Sequence, residues 1–144
     1  MIREMQGSDM EALVDLAMSL WPGHSRKELA DEFTELFQTE DAAVFGWQAD
    51  GRWEAFAQCQ LRHDYVEGCN TSPVGYLEGI YVREPLRGQG VARALLARCQ
   101  AWAREKGCRE FASDCELSNE ASLRFHLAAG FQEAGRIICF AKPL

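Results

Sequence analysis

No apolar run in this chain approaches the ~20 residues that a membrane span requires, and the opening residues Met1-Ile2-Arg3-Glu4-Met5 hold no apolar core of a secretory leader. The closing residues Ala141-Lys142-Pro143-Leu144 match no lipidation or retention signal. A cytoplasmic protein with no membrane partner is the expectation. Basic residues are scarce beside acidic ones, 15 Lys and Arg against 22 Asp and Glu, for a net charge of -7. Phosphate contacts demand a basic surface, so nucleic acid is not the expected partner. A cationic substrate suits this charge, because an acidic protein speeds its approach. The six cysteines, Cys59, Cys69, Cys99, Cys108, Cys115 and Cys139, form no C-x-x-C pair, so buried free thiols are expected rather than zinc or disulfides. No metal is expected. Repeats, low-complexity stretches and linkers are missing too, and 144 residues suit one domain spanning 1–144, able to bury roughly 68–70% of its unfolded surface.

What is present is the ordinary balance of a globular chain, 47% apolar and 26% charged. Residues 2–5 read as a short strand. Ser8 with Glu11 makes a capping box ahead of Leu13, Leu16, Ala17 and Leu20 at helical spacing, and Trp21-Pro22-Gly23 ends that helix. A second box, Ser25 with Glu28, opens a helix with Leu29, Phe33, Leu36 and Phe37 on one face and Asp31, Glu32 and Glu35 on the other. From 42 to 63 the period becomes two, around an Asp50-Gly51 turn, which predicts a hairpin. Residues 64–75 form a long loop, and loops of about 12 residues are more often functional than decorative. Strand pattern returns at Tyr76-Leu77-Glu78-Gly79-Ile80-Tyr81-Val82. A helix carrying Val91, Leu95, Leu96, Cys99, Trp102 and Ala103 then runs to Gly107. A strand at 110–114, a short helix capped by Asn119 and a last strand at 136–141 complete an α/β order with a central mixed sheet.

Chemistry concentrates in Val82-Arg83-Glu84-Pro85-Leu86-Arg87-Gly88-Gln89-Gly90-Val91-Ala92. A glycine-rich turn between strand and helix presents unpaired N–H groups, and the helix start adds roughly half a positive charge. Such a turn binds a pyrophosphate. Gly-Lys-Ser/Thr of a Walker loop is absent, and Arg93 stands where a dinucleotide fingerprint needs its third glycine.

Arg87-x-x-Gly90-x-Ala92 resembles the acetyl-CoA loop of GCN5-related N-acetyltransferases (GNAT), Q/R-x-x-G-x-G/A, with the expected strand before it, the expected helix after it, and Gly130-Phe131 ending the last core helix. The resemblance implies a mixed sheet flanked by helices, with one parallel strand pair splayed around the pantetheine arm of acetyl-CoA. It places that arm on the backbone of Ile80, Tyr81 and Val82, the pyrophosphate on Arg87, Gly88, Gln89, Gly90, Val91, Ala92 and Arg93, and Asn119 on the arm. Many members carry a tyrosine four residues before the Gly-Phe pair as the acid for the departing thiolate; here it is His126.

A second set of residues is similar to one group of aminoglycoside 6'-N-acetyltransferases: Trp21-Pro22-Gly23-His24, Arg62-His63-Asp64-Tyr65-Val66, Leu77-Glu78-Gly79-Ile80 and Ala112-Ser113-Asp114. By that resemblance Trp21, His24, Tyr65, Glu78 and Asp114 line the acceptor site, and Asp114 and Glu78 serve the chemistry with His126. The substrate has several ammonium groups on rigid rings, which call for carboxylates and aromatic faces. Acetyl would pass directly from acetyl-CoA to the 6'-amine, giving antibiotic resistance. Homodimers are common among such relatives, so one is expected. Other readings are a GNAT enzyme for another small amine, a polyamine or a protein N-terminus, and a non-catalytic CoA-binding module.

Overall fold

Alternation along two neighbouring strands sorts the apolar residues onto the two faces of one sheet. In a computed structural model describing residues 1–144, the strands are β1 (Ile2–Glu4), β2 (Ala42–Ala49), β3 (Arg52–Arg62), β4 (Val74–Val82) and β5 (Phe111–Ser113), in the order β1-β2-β3-β4-β5. The helices are α1 (Met10–Leu20), α2 (Arg26–Leu36), α3 (Val91–Glu105) and α4 (Glu120–Ala128). Ala43, Phe45, Ala55, Ala57 and Cys59 pack with Leu95, Leu96, Cys99 and Trp102 of α3 on one face. Val44 and Phe56 point the other way and meet Leu13, Leu16, Leu29 and Phe33 of α1 and α2. Successive strand side chains project to opposite faces, so three layers result. Four pairings are known: β1 to β4 are antiparallel in turn, and β4 with β5 is parallel, so the sheet is mixed as expected.

Local chemistry sets the boundaries. Asp50 and Gly51 both take positive φ, 52° and 74°, the geometry of a two-residue hairpin turn whose twist matches its strands. Ser25 accepts from the Glu28 N–H at 3.1 Å, as the sequence predicts. The Ser8–Glu11 box does not form. Asp9 takes its place, accepting from the Gln6 N–H at 2.9 Å and from Arg3 at 3.0 Å, because a 3₁₀ turn over Gly7–Asp9 precedes α1.

The last predicted strand is not formed either. Residues 136–141 lie in no ladder, with Ile137, Ile138 and Phe140 at 80%, 81% and 91% exposure. A strand exists only where its N–H and C=O groups find a neighbour, and β5, at the sheet edge, pairs with β4 alone. No helix is long and apolar enough to cross a membrane.

One glycine ties the layers together at β4. A Cβ on Gly79 would stand 2.5 Å from the Trp21 ring, so the indole needs the bare backbone beneath it. Gly79→Ala is expected to destabilise the protein by about 1–3 kcal/mol through overpacking. The check is the urea midpoint, with Gly7→Ala, where a Cβ meets open space, as the reference.

Candidate active site

The β4–β5 ladder is three rungs long: Gly75 with Phe111, Tyr76 with Ala112, and Leu77 with Ser113. Beyond the last rung the strands part, and the next residue on each strand is a carboxylate, Glu78 and Asp114. On its other side β4 steps by one residue against β3, since Gln58 faces Gly79 while Cys59 faces Leu77. Glu78 is the extra residue of this bulge. A bulge re-aims side chains, and here it lets Leu77 and then Ile80 and Val82 join the same α3-side cluster despite odd and even numbering. From Glu78 to Val82 the edge of β4 is free of β5, and that edge holds the expected backbone of Ile80, Tyr81 and Val82.

Four side chains from three strands interlock at the parting. Arg62 at the end of β3 donates to Glu78 through Nε at 3.1 Å and through Nη2 at 2.6 and 3.1 Å. Its guanidinium lies over the Tyr76 ring, 3.4 Å from the centroid, and the Tyr76 hydroxyl donates to Asp114 Oδ2. Burial pushes the Glu78 carboxyl above its ordinary range, and Arg62 opposes the shift without cancelling it. Burial and the Asp114 carboxylate together push the Tyr76 phenol well above its usual range. The phenol therefore keeps its proton and stays a donor. Two carboxylates against one guanidinium leave one negative charge uncompensated, which suits one incoming ammonium.

His126, on α4, closes the site from below β5. Its Nε2 is 2.8 Å from Ser113 Oγ and its Nδ1 2.7 Å from the Ser122 carbonyl, while Ser113 donates to the Leu77 carbonyl at 3.2 Å. The helix is thus moored to the last rung of the ladder. Among the expected acceptor residues, Trp21 is half-buried against Gly79, with Phe56 edge-on at 6.0 Å, so it is a packing residue. His24 is in the turn after α1, with Nδ1 3.4 Å from Glu28. Tyr65, 79% exposed, donates to Glu67 at 2.8 Å. These two have local partners only. The loop bearing Tyr65 is held at its far end by Glu110, which accepts from the Thr71 hydroxyl and from the Asn70 and Thr71 N–H groups at 2.8 Å each; the Thr71 hydroxyl first, and then the N–H groups, hold the Glu110 carboxyl below its usual range.

The pyrophosphate turn has the geometry its sequence suggests. Gly88 and Gly90 adopt φ of 78° and 83°, a region costly to residues with a Cβ. Gly90 is the N-cap of α3 and brings no side-chain cap. No backbone N–H from Gly88 to Arg93 donates to another backbone group outside the helix ladder, so these donors remain free for an anion. No atom lies within 4 Å of where a Cβ of Gly88 or Gly90 would stand. Arg87 is turned inward, donating to the Val82 carbonyl at 2.8 Å, and Arg93 donates to the Ala128 carbonyl at 2.7 Å. Gln89 folds back to Pro85 at 3.0 Å. These residues fit a pyrophosphate through backbone amides, with Arg87 bracing the loop. Asn119 caps α4, accepting from the Ser122 N–H at 3.1 Å.

Comparison with known proteins follows the same lines. The sequence pattern of the acetyltransferase (GNAT) family matches residues 10–131. The chain is 43% identical over 144 residues to an aminoglycoside N(6')-acetyltransferase type 1 of Stenotrophomonas maltophilia, covering 99% of this chain and 93% of that one. It is 43% identical to the protein of the same name from Salmonella enteritidis, covering 98% and 97%. Among solved structures, aminoglycoside N-acetyltransferase AAC(6')-Iy in complex with CoA superposes with a TM-score of 0.96 at 42% identity, over 100% of this chain and 95% of that one. The same enzyme with a bisubstrate analogue, CoA-S-monomethyl-acetylneamine, gives 0.95 at 42% identity, over 100% and 98%. With a sheet that parts beside a free amide turn, and with relatives of this similarity along its whole length, the chain belongs to the GNAT family of acetyltransferases.

Proposed function

We propose that this protein is an aminoglycoside 6'-N-acetyltransferase, one domain over residues 1–144, that moves acetyl from acetyl-CoA to the 6'-amine and so inactivates the antibiotic. The observation that carries this reading is the placement of Glu78 and Asp114 as the first residues past the last β4–β5 rung. Acetyl-CoA supplies an activated thioester. The amides from Gly88 to Arg93 hold its pyrophosphate, the Ile80, Tyr81 and Val82 backbone aligns its arm, and an N–H on that edge stabilises the charge that develops on the carbonyl oxygen. Asn119, at the start of α4, adds a polar contact to the arm. Trp21, His24 and Tyr65 frame the acceptor, and Glu78 with Asp114 attracts its ammonium.

At neutral pH the acceptor amine is mostly protonated and inert, so a carboxylate must take a proton before direct attack. Asp114 is the base, exposed at the end of β5 with one oxygen free of Tyr76. Glu78, gripped by Arg62, supplies charge. His126, anchored to Ser113 at the last rung, is the assigned proton donor for the thiolate. The location is cytoplasmic, where acetyl-CoA is made.

The working unit is a homodimer. Its support is the C-terminal arm, where Ile137, Ile138 and Phe140 are exposed beside a sheet whose β5 edge is unpaired. A second copy offers the strand partner that one chain lacks.

Four outcomes are expected. Asp114→Asn should lower kcat by ~10²–10⁴ while moving the acceptor KM little, and neomycin should react where paromomycin, with a hydroxyl at the 6'-carbon, does not. Steady-state thiol release reads both; equal turnover of the two antibiotics defeats the assigned position. Gly90→Ala, forced into a left-handed conformation that costs about 1–2 kcal/mol, should raise the acetyl-CoA KM about tenfold and leave the acceptor KM alone. Finally, light scattering should give twice the chain mass for the full protein and a single chain mass for a version ending at Gly135.

A further inference from the structure

An exposed aspartate one residue past a three-residue strand has little in its own element to orient it. Asp114 is in that position, yet one of its carboxylate oxygens is engaged by a residue of the neighbouring strand. Tyr76 is only 6% exposed. Its ring stands on β4 two residues before Glu78, and its hydroxyl meets Asp114 Oδ2. The ring in turn is covered by the Arg62 guanidinium, 3.4 Å from its centroid, and that guanidinium is fixed edgewise by three contacts to Glu78. Each member of the series can move only if the next one yields.

We propose that Tyr76 is a positioning residue for acetyl transfer, its hydroxyl holding Asp114 Oδ2 so that Oδ1 receives the amine proton, with Arg62 locking the Tyr76 ring in place. This rests on Asp114 as the base of the proposed function. In the step it serves, Asp114 Oδ1 takes one proton from the ammonium before attack and releases it to solvent; the amine nitrogen then bonds to the acetyl carbon, its second proton goes to Asp114 Oδ1, and the carbon–sulfur bond breaks with its electrons on sulfur.

The hydroxyl of Tyr76 occupies Oδ2 alone, so the lone pairs of Oδ1 stay available for the amine proton. The groups facing Asp114 are Arg62 from β3, Tyr76 and Glu78 from β4, and His126 of α4 through Ser113. Arg62 and Glu78 hold each other in place, so the O–H of Tyr76 is the contact that a single conservative change removes.

Tyr76→Phe keeps the ring under Arg62 and deletes only the donor. The plateau kcat is expected to fall about tenfold as the carboxylate loses its orientation, with the acceptor KM changed much less. In an Asp114→Asn background the same substitution should have almost no further effect on kcat, because with the base removed its orientation no longer matters. A Tyr76→Phe enzyme that is folded by circular dichroism and keeps the wild-type kcat overturns the proposal, as does full additivity with Asp114→Asn. A reading that does not depend on turnover is the Asp114 carboxyl carbon resonance at neutral pH on aspartate-labelled protein. It should move in Tyr76→Phe, and an unmoved resonance overturns the proposal as well. If the wild-type protein acetylates no aminoglycoside, the proposed function fails and the NMR comparison still decides the role of Tyr76.

Discussion

The end of the β4–β5 ladder after Leu77 and Ser113 is the constraint on which the rest depends. Two parallel strands that stayed paired would satisfy each other's backbone groups and bury Glu78 and Asp114 in a ladder. Parted, they expose one strand edge to an extended ligand and set a carboxylate on each side of its mouth. The free amides at the start of α3 then lie just beyond the end of β4, where an anionic tail of that ligand can reach them. The ladder need not be strong, since α3 packs across β2, β3 and β4, and Phe111 of β5 packs against the same cluster.

That packing explains how the site bears its polar load. No polar or charged residue is fully buried, so desolvation falls on the half-buried Glu78, and Arg62 reaches over from β3 to offset it. Removing one member of such a pair leaves an uncompensated charge. Tyr76 and Asp114 extend the pair into a set in which no buried polar atom lacks a partner. His126, moored to Ser113, fixes α4 against the same rung.

Much of this was legible in the sequence because local chemistry decides it. Asp50-Gly51 demands a hairpin, Ser25 caps α2, Asn119 caps α4, and Gly88 and Gly90 mark a turn that side chains would strain. Where local signals compete, reading by spacing fails: Ser8 lost the helix start to Asp9, which Arg3 and the Gln6 N–H could both reach. The strand pattern at 136–141 is real in composition but depends on a neighbour outside the chain. Arg62 and Tyr76 escaped notice as site residues for a different reason. A tyrosine alternating with apolar residues reads as core, and the guanidinium above it comes from another strand, in a register that a bulge at Glu78 has shifted. The signal available was the i, i+2 placement of Tyr76 and Glu78 in one strand.

The charge left over at the parting has a consequence for how a polycation arrives. Arg62 cancels one of the two carboxylates at contact range, so the site proper answers to one ammonium, and the remaining ammonium groups of the ligand see only the diffuse field of a chain with net charge -7. A field of that kind is damped over about 8 Å at physiological ionic strength, whereas an ion pair in contact is damped far less. Capture from dilute solution is therefore governed by the salt around the protein, and the committed step, once the amine is seated, is governed by the four interlocked side chains.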